Sequence, residues 1–250
     1  MGKSKKSLKV LELFAGVGGF RLGLEGFKGK SPSSGYSKPL TNNGGFEVLY
    51  SNQWEPSTKT QHASDVYVER FGPEGHFNID LSTLSVDELK EDIDVLVGGF
   101  PCQDYSVANS LRTSKGLIGK KGVLWWQIER ILSELGDRKP KYLVLENVDR
   151  LLKSPVNKRG RDFSVMLSSL NDLGYVVEWR ILNAAEYGFP QRRRRVFIVG
   201  YLKDSKPFLG LNKSDKLKWI EEEGVLGSVF PCSNKGFENN FTLEGSLEQI

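Results

Sequence analysis

Cys102 is the residue of the chain best placed to act as a nucleophile. It follows the stretch VLVGGFP, in which an apolar run ends in Gly98, Gly99 and a proline. Such a break presents a side chain at the end of a buried strand, where binding sites of parallel sheets form. A thiolate there would be a strong nucleophile, whereas a lone cysteine can otherwise be a small buried apolar residue. The other cysteine, Cys232, lies in a poorly patterned tail and is interpreted as incidental.

A carboxylate ends a later apolar run, KYLVLENV. Glu146 emerges there from among apolar residues, a setting in which a carboxyl group can donate or share a proton with a substrate. The alternative is a structural glutamate that caps the next helix. Glu146 is therefore a second candidate for chemistry at the edge of the predicted sheet.

Four consecutive arginines, Arg192–Arg195, precede the last apolar run in YGFPQRRRRVFIVG. Such a run is typical of a solvated basic face or of a phosphate-binding patch. Because alternate residues of a strand face opposite ways, Arg193 and Arg195 are predicted to point to one side of the sheet, away from the other two. One pair could therefore enter a site.

A glycine-rich turn follows the first apolar run, in ELFAGVGGFRLGLE. Glycines between a strand and a helix let the backbone turn sharply and let a ligand approach the main chain. The spacing matches neither the dinucleotide pattern G-x-G-x-x-G nor a P-loop, so a plain turn and a nucleoside-type site are both open. Trp54 in NQWE is interpreted as a cover for a bound base or as a core residue, and Asp80 in FNIDLS is a further candidate.

Six apolar, β-branched runs that end in turn residues predict the strands that would position these side chains. They span residues 8–14, 46–52, 93–100, 141–148, 175–182 and 195–202. Helical periodicity between them is clearest at 123–135 and 162–174. Together they predict an α/β fold with a mostly parallel sheet and helices on both faces, with the site just beyond the strand ends.

The composition is that of a globular protein with one main domain. The 250 residues are 38% hydrophobic and contain no apolar run long enough to span a bilayer, so we expect no membrane segment. Two cysteines and the lack of a signal-peptide pattern favour a cytosolic location. His62 and His76 stand at no ligand spacing, so we expect no metal. The net charge of +4 permits a nucleic-acid partner.

The motifs together resemble the cytosine-5 DNA methyltransferase family. LELFAGVGGFR, SNQWE, GGFPCQDYS, LENV and YGFPQRRRR occur in that order within residues 8–201. The resemblance implies a Rossmann-like methyltransferase fold that uses S-adenosylmethionine. It also implies methyl transfer to carbon 5 of a cytosine flipped out of double-stranded DNA. The expected setting is a restriction-modification system in a bacterial or phage cytosol.

The resemblance also assigns residues to S-adenosylmethionine, the predicted cofactor. The glycine turn matches the family's cofactor loop, Trp54 its adenine-stacking aromatic, and Asp80 with Leu81 the pair beside the adenine. Gln53 stands where the family usually has an acidic residue that binds the ribose hydroxyls, which an amide can still hydrogen-bond. The full set is Phe14, Ala15, Gly16, Val17, Gly18, Gly19, Gln53, Trp54, Asp80, Leu81 and Leu124.

The residues that act on the base and the DNA are assigned in the same way. Cys102 matches the nucleophile that adds to carbon 6 of the flipped cytosine, and Glu146 matches the group that hydrogen-bonds ring nitrogen 3. Arg195, with Arg193, matches contacts to the flipped base or its phosphate. A basic segment, 106–122, matches the loop that closes over DNA. The predicted DNA contacts are Gln103, Ser106, Arg112 and Lys115.

The implied organisation is a catalytic and cofactor-binding domain over 1–202, with a surface insertion at 29–45, and the start of a target-recognition region over 203–250. Family members continue through that region and end with a helix that packs back on the first domain. We therefore expect a fragment, or a split enzyme whose second chain supplies the recognition region, rather than an inactive relic. Two alternatives stay open: a transfer-RNA cytosine-5 methyltransferase, and a subunit that binds cofactor or nucleic acid without turnover alone.

Overall fold

The computed structural model describes residues 7–26, 45–100, 124–154, 158–211 and 215–230. These residues fall into two compact units. The first reaches Gly99 and includes Leu135–Pro140, and the second comprises the rest from Phe100 onward. The predicted insertion up to residue 44, both cysteines and the basic segment 106–122 lie outside the described residues.

Four parallel strands form the sheet of the first unit, in the order β3-β2-β1-β4. The strands are β1 (Leu8–Leu13), β2 (Phe46–Asn52), β3 (His76–Phe77) and β4 (Val95–Gly99), and the helices are α1 (Gly19–Glu25) and α2 (His62–Phe71). Strands β1, β2 and β4 coincide with apolar runs that predict strands. Strand β3 has only two residues, and no apolar run predicts it. The core consists of fully buried strand residues such as Leu11, Leu13 and Leu96.

Three antiparallel strands form the sheet of the second unit, in the order β5-β7-β6. They are β5 (Tyr142–Val148), β6 (Tyr175–Asn183) and β7 (Arg194–Leu202), with helices α3 (Leu124–Leu135) and α4 (Arg161–Asp172). All five elements were predicted from apolar periodicity. Their antiparallel pairing was not predicted, because the spacing of apolar residues carries no information on strand direction.

Residues 206–211 and 215–230 pack on β6 and β7. They form α5 (Lys206–Leu211), α6 (Lys216–Lys218), a π-helical turn (Trp219–Glu223) and α7 (Val225–Val229). Trp219 and Leu226 join Val199 and Tyr201 in one buried apolar cluster. Glu178 of β6 also accepts a hydrogen bond from the first N–H of α7 over 2.9 Å. Assignment of this segment to a target-recognition region stays a prediction.

Neither a membrane span nor a metal cluster is found in the described ranges. No helix there is long and apolar enough to cross a bilayer, and no three His, Cys, Asp or Glu side chains gather to hold a metal. His76 is instead hydrogen-bonded through both ring nitrogens, to Ser51 and to Ser64, at 2.8 Å each. Its ring also stacks on Tyr67 with centroids 4.7 Å apart.

Candidate active site

The turn after β1 carries the predicted cofactor loop. Phe14 has a φ of 55°, and it is followed by Gly16 at 55° and Gly18 at 88°. The left-handed region costs a non-glycine residue roughly 1–3 kcal/mol, and such strain is concentrated at functional sites. A Cβ built on Gly16 or Gly19 would meet nothing within 4 Å. The main chain of this turn is therefore open to a ligand.

Hydrogen bonds join the residues that follow β1, β2 and β3. The Ala15 N–H donates to the Asn52 carbonyl over 2.9 Å, and the Gly16 N–H donates to Gln53 Oε1 over 2.8 Å. The Gln53 N–H in turn donates to the Phe77 carbonyl over 3.1 Å. The first unit therefore brings three of the predicted cofactor segments to the carboxyl edge of one parallel sheet, where such sites form.

Trp54 and Asp80 stand at this edge in different settings. Trp54 is 37% exposed, which contradicts the core interpretation and leaves part of its ring accessible to a base. Asp80 accepts a hydrogen bond from the Ser82 N–H over 2.9 Å, so one carboxylate oxygen is committed to a turn. Leu81 beside it is 3% exposed. Asn52 donates through Nδ2 to two backbone carbonyls of this segment and so fixes it to β2.

Gln53 holds the glycine turn as well as facing the site. It is 8% exposed, and its Oε1 is the acceptor for the Gly16 N–H. A carboxylate could hold Gly16 with one oxygen and offer the other as an acceptor. The amide offers Nε2 instead, which can only donate. Gln53 can therefore contact a ribose hydroxyl with Nε2 as the donor, or with the second lone pair of Oε1 as the acceptor.

These features fit S-adenosylmethionine. An adenosine group requires a flat apolar surface and nearby polar groups, which the exposed ring of Trp54 and the amide of Gln53 supply. The open backbone at Gly16 and Gly19 admits a ligand against the main chain. The remaining predicted cofactor residue, Leu124, is the first residue of α3 in the second unit.

Glu146 lies between arginines in the second unit. Arg195 Nε is 2.9 Å from Glu146 Oε1, and Arg193 Nη2 is 4.0 Å from the same oxygen. The register of β5 and β7 pairs Val148 with Arg195, which places the start of β7 opposite the end of β5. The Glu146 side chain is 22% exposed. It is therefore an ion-paired carboxylate reachable from solvent, rather than the buried group or the helix cap that the sequence suggests.

The two arginine contacts leave one side of the carboxylate open. Within the described part of the chain, both fall on Oε1 of Glu146, and neither arginine pairs with Oε2. Arg194 faces another carboxylate, with Nε 3.1 Å from Asp149 Oδ2. The alternation predicted for the arginine run is therefore confirmed for three of its members.

Asn147 is a site residue that the sequence interpretation missed. It is 2% exposed, and its Nδ2 donates to the Phe100 carbonyl over 3.0 Å within the second unit. Phe100 directly precedes Pro101 and Cys102, so Asn147 fixes the point at which the chain enters the cysteine segment. The available signal was a polar residue inside the apolar run LVLENV. The predicted site residues that lie outside the described residues are Cys102, Gln103, Ser106, Arg112 and Lys115.

Residues 8–244 match the family model of the C-5 cytosine-specific DNA methylases. The chain belongs to this family. The match includes every segment described above, in both units, together with the Pro101–Cys102 step. The resemblance inferred from the motifs is thereby confirmed.

Individual methyltransferases are also similar to the chain. The chain is 52% identical over 233 residues to the type II methyltransferase M.Sau3AI of Staphylococcus aureus, covering 93% of this chain and 52% of that protein. It is 32% identical over 204 residues to M.HhaI of Haemophilus parahaemolyticus, covering 81% of this chain and 51% of the relative. The chain thus spans about half the length of the curated relatives it matches.

Solved structures confirm the fold class. A putative DNA modification methyltransferase from an Escherichia coli prophage superposes with a TM-score of 0.54 at 22% identity, over 79% of this chain and 47% of that one. The Dnmt2 methyltransferase of S. pombe gives 0.52 at 19% identity, over 79% and 50%. The chain therefore has the predicted α/β, Rossmann-like methyltransferase fold, with strands that are mostly parallel.

Proposed function

We propose that this chain carries the catalytic region of a DNA cytosine-5 methyltransferase of a type II restriction-modification system, with S-adenosylmethionine as methyl donor. The observation that carries the proposal is the Glu146 carboxylate, which Arg195 orients beside Asn147, the residue that anchors the approach to Pro101–Cys102. The 52% identity to a type II methyltransferase favours DNA over transfer RNA as the substrate.

The proposed reaction begins at the flipped cytosine. The Cys102 thiolate adds to carbon 6 of a flipped cytosine, which forms an S–C bond and drives an electron pair toward carbon 5. Glu146, protonated on Oε2, donates a hydrogen bond to ring nitrogen 3 and passes the proton to it as negative charge develops there, while Arg195 holds the carboxyl group in place. S-adenosylmethionine supplies the methyl group as an electrophile on its sulfonium sulfur. After carbon 5 has taken the methyl group, a base such as water removes the carbon 5 proton. The carbon 5–carbon 6 double bond re-forms, the S–C bond breaks and releases the Cys102 thiolate, and ring nitrogen 3 returns its proton to Glu146.

The cofactor residues of the first unit are proposed to bind and orient S-adenosylmethionine. In this proposal Trp54 stacks on the adenine, Gln53 donates from Nε2 to the ribose, and the turn at Phe14–Gly19 receives the rest of the ligand. Asp80 and Leu81 border the adenine, and the family resemblance assigns Leu124 to the same cofactor.

The proposed partner is double-stranded DNA, in a bacterial or phage cytosol. The basic segment 106–122, with Gln103, Ser106, Arg112 and Lys115, is proposed to contact its backbone and bases. Selection of the target sequence is proposed to depend on residues after 202 and on a recognition region in the same chain or a second one.

Methyl transfer to two nucleic acids tests this proposal. The full-length gene product is incubated with radiolabelled S-adenosylmethionine and either unmethylated duplex DNA or transfer RNA. We expect label at carbon 5 of cytosine in DNA, at least about 100-fold above transfer RNA. Preferential labelling of transfer RNA would support the alternative enzyme. Binding of S-adenosylhomocysteine without transfer to either substrate would support the subunit without turnover.

A further inference from the structure

Glu12 is a buried carboxylate that the proposed reaction does not use. It lies on β1, two residues before Phe14, and it has no exposed surface. Burying a charged carboxylate is costly unless it is hydrogen-bonded or paired. Its burial in the core, two residues before the cofactor turn, therefore indicates a specific structural role.

The carboxylate of Glu12 ties three elements of the first unit together. Oε1 accepts from the backbone N–H of Arg21, in the first turn of α1, over 3.3 Å. Oε2 accepts from the Tyr67 hydroxyl of α2 over 3.0 Å. The first N–H groups of a helix have no partner within the helix. Glu12 thus supplies from β1 an acceptor for α1, which has no side-chain hydrogen bond from its capping residue Gly18.

The cofactor turn, Phe14–Gly18, lies between β1 and α1, two of the elements that the Glu12 contacts join. Phe14 to Gly18 connect the end of β1 to the start of α1, so the Glu12 contacts fix the distance between the two ends of the turn. The same turn is held from α2, where Arg70 donates to the Val17 carbonyl over 3.1 Å. Loosening the Glu12 tether would release one of these restraints while leaving the ligand-facing residues unchanged.

We propose that Glu12 is a positioning residue for the cofactor turn, and that cofactor affinity follows its state of ionisation. The proposal rests on the proposed function, because it assumes that S-adenosylmethionine binds at this turn. An ionised Glu12 accepts on both oxygens. In a protonated Glu12 the Tyr67 hydroxyl can accept from the carboxyl group while the other oxygen still accepts from Arg21, but both hydrogen bonds lose the charge assistance that makes them strong.

Burial, opposed by hydrogen-bonding and charged neighbours, places the protonation of Glu12 near neutral pH. Burial raises the pKa of Glu12 to about 7, against a lowering by the Tyr67 hydroxyl, the N–H of Arg21 and the Arg21 guanidinium. Burial also raises the pKa of Tyr67 to about 12 and lowers that of His76, which stacks on Tyr67. Arg21 is paired with Glu25 over 2.9 Å. Glu12 is therefore the member of this network that changes charge near pH 7.

The direction in which cofactor affinity changes with pH follows from the raised pKa of Glu12. Above about pH 7 Glu12 is ionised and the tether is strongest, and below it the protonated form accumulates and the tether is weaker. If only the ionised form binds, affinity falls about tenfold for each unit of pH below the pKa. We therefore expect the dissociation constant of S-adenosylhomocysteine to be up to about tenfold larger at pH 6 than at pH 8. Calorimetry on the full-length gene product measures it.

Three variants make the test specific. Glu12→Gln should remove the pH dependence. Tyr67→Phe removes the donor that lowers the pKa of Glu12, so it should move the midpoint of the profile to higher pH. Tyr50→Phe is the matched control, because its hydroxyl accepts from the Glu91 N–H outside this network, and it should leave the profile unchanged.

The outcomes separate this inference from the proposed function. Wild type that binds S-adenosylhomocysteine with an affinity independent of pH would overturn the inference alone, as would an unmoved midpoint in folded Tyr67→Phe. If Glu12→Gln does not fold, the Tyr67→Phe midpoint decides. Wild type that binds no S-adenosylhomocysteine at any pH would contradict the proposed cofactor, and with it this inference.

Discussion

Replacement of Glu146 by glutamine is expected to lower methyl transfer by about 10²–10⁴-fold, the range for loss of a positioned acid-base group. The amide has no acidic proton to transfer to ring nitrogen 3, and it breaks the 2.9 Å ion pair with Arg195. Cofactor binding is assigned to other residues, so the affinity for S-adenosylhomocysteine should stay within about twofold. Single-turnover transfer and calorimetry on the same preparation measure the two effects.

Asp149→Asn is the matched control for this change. It also removes a carboxylate that pairs with an arginine of the same run, since Asp149 lies 3.1 Å from Arg194. That pair is more exposed, and exposed ion pairs contribute little, about 0–1 kcal/mol. We expect transfer within about threefold of wild type. Equal losses in Glu146→Gln and Asp149→Asn would show that general charge loss, rather than contact with the base, explains the effect.

Gly18→Ala is expected to destabilise the first unit by about 2–6 kcal/mol and to abolish measurable cofactor binding. Gly18 has a φ of 88°, and a Cβ there would lie 2.2 Å from Cε2 of the Phe71 ring. The strain of a left-handed alanine and the overpacking against Phe71 each cost roughly 1–3 kcal/mol. Phe71 is also held by the Arg21 guanidinium, 4.9 Å from its centroid, so it cannot move away freely. Chemical denaturation and calorimetry provide the measurement.

Gly23→Ala supplies the comparison within the same helix. Gly23 is exposed, and a Cβ there would meet nothing within 4 Å. Alanine is favoured over glycine inside a helix by about 0.5–1 kcal/mol. This variant should therefore be slightly more stable than wild type and bind S-adenosylhomocysteine equally well. A Gly18→Ala protein as stable as Gly23→Ala would contradict the described conformation of the turn.

The strands and the long helices could be predicted because their apolar residues are periodic. VLWWQIERILSEL and DFSVMLSSLNDLG each bury one stripe, and they form α3 and α4 within one or two residues of the predicted bounds. Helix α2 escaped notice because HASDVYVERF has no clear apolar stripe, and only Ser64 and Tyr67 are buried in it. Strand β3 is too short for any periodicity to appear.

The candidate site could be predicted only where its residue types are unusual. A cysteine after a broken strand, an arginine run and a glycine-rich turn are visible in the sequence. Glu12, Asn147 and the hydrogen bond from Gly16 to Gln53 are not, because their roles depend on partners distant in the chain. A buried polar residue within an apolar run was the common signal, and it indicates a tether without naming its partner.

Covalent trapping tests the central claim most directly. The full-length gene product is incubated with S-adenosylmethionine and duplex DNA in which the target cytosines carry fluorine at carbon 5. Fluorine cannot leave as the proton does, so the S–C bond to the base is retained and the complex survives denaturing electrophoresis. We predict a covalent complex with wild type and none with Cys102→Ser. Wild type that crosslinks no more than Cys102→Ser would contradict the assignment of Cys102 as the nucleophile.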